Sequence, residues 1–79
     1  MVYYDVFGNL AYQIIRKRDK RIFQVLKFGS SYSICEYDYN AKALRDVYIY
    51  DSVFYEISDE FPNFMQAVRF LKNNIENFL

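Results

Sequence analysis

The sequence predicts an α+β fold: an antiparallel β-meander of about five or six short strands, with one C-terminal amphipathic α-helix packed on one face. Three observations predict it. Up to about residue 60 the apolar residues are β-branched and aromatic, in short runs broken by Gly, Asn, Asp and Ser. Beyond that point they are helix formers, with apolar side chains at steps of four and three. The links between runs are a few residues long, and short links force antiparallel neighbours. The 79 residues are expected to form one domain, 1–79, with 1–58 the meander and 59–79 the helix.

The first strand is expected from Val2 to Phe7 and the second from Leu10 to Lys17, joined by Gly8-Asn9. A Gly-first two-residue link is the signal of a type II′ turn, because Gly accepts the positive φ required there. Arg18-Asp19-Lys20 leads into a run from Arg21 to Phe28, and Asp favours such turns by bonding nearby backbone. Gly29-Ser30-Ser31 makes the third break and Tyr32 to Tyr39 the fourth strand. Asn40-Ala41-Lys42 reads as a turn. Leu44 to Tyr50 and Val53 to Ser58 read as strands joined by Asp51-Ser52.

Pairing across Gly8-Asn9 would put Tyr3, Asp5 and Phe7 on one face with Leu10, Tyr12 and Ile14. The other face would then carry Val2, Tyr4, Val6, Ala11, Gln13 and Ile15. Both faces are substantially apolar, and one short helix covers only one of them.

In the C-terminal segment Phe64, Val68, Leu71, Ile75 and Phe78 form a single helical stripe, widened by Met65, Ala67 and Leu79. Gln66, Arg69, Lys72, Asn73 and Glu76 take the opposite side, and Phe70 lies off the stripe. Pro62 suits a first helical turn and Ser58 or Asp59 a cap. With only Arg69 and Lys72 as cations, the polar face lacks the basic character of a membrane-surface helix.

Composition narrows the function classes. There are ten basic and ten acidic residues, no His, no Trp and one Cys. An intrachain disulfide is excluded, as is a zinc site of the Cys/His kind. Catalysis with histidine as base is also excluded. The only two glycines leave no phosphate-cradling loop. No cofactor is expected, and the chain is not expected to be an enzyme. Glu36 and Asp38 share a strand face, and Asp46, Asp51 and Glu56 lie nearby in sequence; on a strand such carboxylates normally form a solvated face. The start lacks the n- and h-regions of a signal peptide, and no apolar run is long enough to span a membrane. Cys35 reads as a small buried hydrophobe or a reactive thiol, and a lone Cys fits a reducing, cytoplasmic setting. The Asn-, Tyr-, Phe-, Ile- and Lys-rich usage is that of an AT-rich genome, such as a low-GC bacterium or its phage.

Nine Tyr and eight Phe make 22% of the chain. Each ring can bury ~150–250 Å². A domain of this size hides only ~60% of its unfolded surface. Some rings must therefore face outward, either at the core margin with their hydroxyls in water or as a contact surface. The expected function is a small protein-interaction domain that self-associates as a homodimer and binds or modulates a larger, unidentified protein through exposed aromatics. The alternative is a nucleic-acid-binding module. Arg16, Lys17, Arg18, Lys20 and Arg21 put half of the ten cations in a six-residue hairpin tip, with Tyr12 and Phe23 near enough in sequence to stack bases. The same tip could orient an acidic protein partner. A zero net charge weakens the nucleic-acid alternative.

Overall fold

The computed structural model describes residues 1–37 and 54–79. Strands β1 (Val2–Tyr4), β2 (Leu10–Ile15), β3 (Ile22–Phe28), β4 (Ser31–Tyr37) and β5 (Phe54–Glu56) lie side by side in sequence order, every neighbouring pair antiparallel. Helix α1 (Phe64–Asn74) runs into a 3-10 turn, Ile75–Asn77, and packs on β2, β3 and β4. The fold is thus an antiparallel meander with one C-terminal helix, α+β as expected. The six runs read from the sequence exceed the strands found among the described residues. The expected turn at 40–42, the strand Leu44 to Tyr50 and the turn Asp51-Ser52 lie outside the described residues.

The first link departs from expectation. It is not a two-residue turn. Asp5 N donates to Asn9 O at 2.9 Å and Gly8 N donates to Asp5 O at 3.0 Å, closing a loop of Val6, Phe7 and Gly8. The Asp5 carboxylate also accepts from Phe7 N and Asn9 N, both at 2.9 Å. Gly8 has φ of 82°, the left-handed position that ends such three-residue loops. Asp5 therefore terminates β1 early, and the register is Val2↔Tyr12, Tyr3↔Ala11, Tyr4↔Leu10. Val2 and Tyr4, not Tyr3, share a face with Leu10 and Tyr12: Tyr4 instead of Phe7 lies opposite Leu10, and a slip by an odd number of residues exchanges the faces of a strand. The Gly-first two-residue turn occurs instead at Gly29-Ser30. Phe28 pairs with Ser31 there, and Gly29 has φ of 61° while Ser30 stays at negative φ.

The helix also begins later than expected. Phe61 and Tyr32 exchange backbone hydrogen bonds of 2.7 and 2.9 Å, so the chain is still extended at Phe61. Asn63, not Ser58 or Asp59, is the N-cap: its side-chain oxygen accepts from Gln66 N at 2.9 Å. Pro62 thus precedes the cap rather than sitting in the first turn. Ser58 serves the sheet instead, accepting from Ile34 N at 3.0 Å through its hydroxyl.

The core lies between sheet and helix: Tyr12, Phe23, Val25 and Ile34 from the strands meet Ala67, Val68 and Leu71 from α1. Phe64, Ile75 and Phe78 pack at its margin. Each fully buried aliphatic or aromatic side chain contributes ~1.5–3 kcal/mol of transfer free energy. Of the residues expected to widen the helix stripe, Ala67 is buried, whereas Met65 and Leu79 are exposed. The other sheet face carries Ala11, Gln24, Ser33 and Cys35, all buried within the chain. Gln24 Nε2 donates to Gln13 Oε1 of the paired strand at 2.7 Å, which satisfies a buried amide. No helix among the described residues is long and apolar enough to cross a membrane.

Candidate interaction surface

The basic hairpin tip is largely a structural clamp. The link between β2 and β3 closes through Lys20 N to Arg16 O (2.8 Å) and Arg16 N to Arg21 O (2.9 Å), with Lys20 at φ of 62°. Arg16 is only 2% exposed. Its Nε and Nη2 donate to the two oxygens of Asp19 at 3.1 and 2.7 Å. Its Nη1 donates to the carbonyls of Ile75 and Phe78 at 2.7 and 2.6 Å. One guanidinium thereby satisfies carbonyls that the end of the helix leaves without partners, where a cation is also favoured by the helix dipole. The Asp19 carboxyl is held down at about 2, chiefly by the hydrogen bond from Arg16 and further by the backbone bond from Arg21. The hydrogen bonds that Arg16 donates to Asp19 raise the Arg16 pKa.

Arg21 grips Glu36 with two side-chain hydrogen bonds. The guanidinium carbons of Arg16 and Arg21 lie 5.2 and 5.4 Å from the centre of the Phe23 ring, a cation–π distance. Phe78 stacks on Phe23 at 5.4 Å. Arg18 reaches Glu76 at 3.4 Å in an exposed pair of the kind that contributes little.

The expected contact set therefore narrows. Tyr12 and Phe23 are buried in the core and offer no face for stacking a base. Arg16 is consumed by the clamp, and Arg21 is half-buried against Glu36. Lys17, Arg18 and Lys20 remain exposed at the tip. Sequence reasoning took the tip for a charged surface. The available signal was Arg16 with Asp19 three residues on, a spacing that lets one turn fold a cation back on its own carboxylate.

The exposed apolar surface lies elsewhere. Val2 is 57% exposed, Tyr4 71%, Val6 73% and Phe7 78%, and Leu10 and Met65 are also exposed. Val2, Tyr4 and Leu10 stand on the helix-covered side of the sheet. The helix packs on β2, β3 and β4, leaving the β1 margin uncovered. Between this margin and the start of α1 runs an apolar groove of about 760 Å³, lined by Val2, Leu10, Tyr32, Pro62, Phe64 and Met65. Among the described residues the exposed apolar side chains are more often aliphatic than aromatic. Among the described residues the exposed rings are Tyr4, Phe7, Phe28 and Phe70, beside exposed Met1, Val2, Val6, Leu10, Ile15, Met65 and Leu79.

A second open cleft, about 650 Å³, has Phe61, Phe70 and Phe78 as walls and Glu56 and Asp59 at its rim. Phe70, off the helix stripe, leans on Phe61 at 5.3 Å between ring centres. Cys35 is fully buried, and burial pushes its thiol up to about 12, which removes thiolate reactivity at neutral pH. Among the described residues no group of His, Cys, Asp or Glu is placed to hold a metal ion.

No family model, curated protein or solved structure matches this chain.

Proposed function

We propose that this chain is a small protein-interaction domain that self-associates as a homodimer and binds or modulates a larger protein through exposed apolar and aromatic side chains. The observation that carries this reading is the uncovered β1 margin. Val2, Tyr4, Leu10 and Met65 leave apolar area in water beside a groove that the chain's own helix does not fill. Contiguous surface of this kind marks interaction sites in soluble proteins. The charged side chains nearest the helix end are spent on internal bonds, so the interaction rests on apolar contact rather than on the basic tip. One buried thiol and no second cysteine support a reducing setting such as the cytoplasm.

A dilution series followed by backbone amide NMR tests the reading. Self-association predicts concentration-dependent shifts confined to Val2, Tyr4, Leu10, Met65 and their neighbours. Shifts that stay fixed from micromolar to millimolar concentration would remove self-association, and movement confined to residues 17–20 would relocate the interface to the basic tip.

A further inference from the structure

We propose that β1 is a pairing edge, joined antiparallel to β1 of a second copy about a twofold axis at Tyr3. The pairing rests on the self-association proposed above and specifies its geometry. Antiparallel ladders alternate between residues that bond a given neighbour and residues that point their backbone groups away from it. Met1 and Gln13 exchange both backbone bonds, at 2.8 and 2.9 Å. Asp5 and Asn9 form the pair that closes the loop. Tyr3, midway between them and opposite Ala11, is in phase with both. Val2 and Tyr4 are out of phase, so their N–H and C=O groups face away from β2. Neither finds a backbone partner among the described residues.

An edge with open donors and acceptors is a template for another strand unless something blunts it. β1 is Val-Tyr-Tyr: it has no Lys, no Pro and no charge, and its composition is that of a good strand former. A second copy fits better than an arbitrary peptide because the edge is complementary to itself. With the axis at Tyr3, Val2 faces Tyr4 of the second copy and Tyr4 faces its Val2. Each pair exchanges two N–H···O bonds, giving an isologous contact that closes at two chains. The uncharged edge sets no like charges against each other.

Side chains support the same register. Val2 and Tyr4 both stand on the helix-covered side, 57% and 71% exposed. Pairing would set the Tyr4 ring of the second copy about 5 Å from Val2, cross-strand. An apolar row would then run from Tyr12 through Val2 onto Tyr4 and Leu10 of the second copy, along the groove that opens beside Met65.

The substitution Tyr4→Pro tests this directly. It removes the outward N–H and sets a ring on the edge, but takes no bond from the β1–β2 ladder, since Tyr4 and Leu10 are a non-bonded pair. Tyr4→Phe is the control that keeps both the N–H and the ring. Sedimentation equilibrium should show native chain and Tyr4→Phe dimerising alike, with Tyr4→Pro weakened on the order of 10- to 100-fold, as expected for two lost hydrogen bonds per dimer. Amide exchange of the native chain reads the same edge without a substitution: the Tyr4 amide should gain protection as concentration rises. A native dimer whose affinity is untouched by Tyr4→Pro, or whose Tyr4 amide exchanges at a concentration-independent rate, would overturn the edge pairing while leaving self-association standing. A native chain that stays monomeric would overturn both.

Discussion

Arg16 shows how a residue that looks like surface charge becomes an internal fastener. Four of its hydrogen bonds tie the β2–β3 link to Asp19 and to the carbonyls of Ile75 and Phe78. Removing the guanidinium takes the Arg16 donor from both carbonyls and leaves Phe78 O only the longer bond from Arg18 Nη2 at 3.4 Å, so Arg16→Met should cost about 2–4 kcal/mol in urea unfolding. Arg16→Lys should recover only part of this, because an ammonium cannot serve a carboxylate and two carbonyls with one planar fork. Asp19 gives the clamp a pH dependence. Its carboxyl is lowered in the folded chain from an ordinary value near 3.8 to about 2. A lowered acid stabilises the fold above its unfolded pKa and loses that contribution as pH falls. Stability should therefore drop between about pH 4 and pH 2, and Asp19→Asn should flatten that part of the curve. Cys35 behaves oppositely, because its thiol is raised to about 12. It should resist a thiol reagent at pH 8 in the folded chain and react once urea unfolds it.

At the scale of elements, the stripe through Val68 and Leu71 was legible because helical spacing concerns one segment alone. The boundaries were less so. Ser58, Asp59 and Asn63 are all capping types, and only the bridge between Tyr32 and Phe61, a contact distant in sequence, decides that the helix waits for Asn63. Asn63→Ala should therefore destabilise the chain by about 1 kcal/mol, whereas Asp59→Ala should leave the helix content unchanged by circular dichroism. The first hairpin failed for a related reason. Gly8-Asn9 carries the sign of a two-residue turn, but Asp5 three residues upstream captures the loop amides and lengthens the link. The resulting register, with Tyr4 in place of Phe7 opposite Leu10, exchanges the faces of β1 and forms the apolar row Val2, Tyr4, Leu10. Gly29 is the place where a positive φ is required by a two-residue turn. Gly29→Ala should cost stability by strain rather than by clash, since nothing stands within 4 Å of an added methyl.

For the whole molecule, the described residues gather exposed apolar side chains at β1 and the loop that follows it. On the sheet face opposite α1, Ala11, Ser33 and Cys35 are buried inside the chain. Tyr12 and Phe23 fill the core, and among the described residues the exposed apolar side chains are more often aliphatic than aromatic. Val2, Tyr4, Val6 and Phe7 are exposed where α1, which packs on β2, β3 and β4, does not reach over β1. Periodicity could not reveal this, because it depends on how far α1 reaches across the strands. The claim that this margin joins two copies is tested most directly by sedimentation equilibrium of the unaltered chain from micromolar to millimolar concentration. The account predicts a molar mass rising to twice the 9.6 kDa of one chain and levelling there. A mass that stays at 9.6 kDa throughout would contradict it.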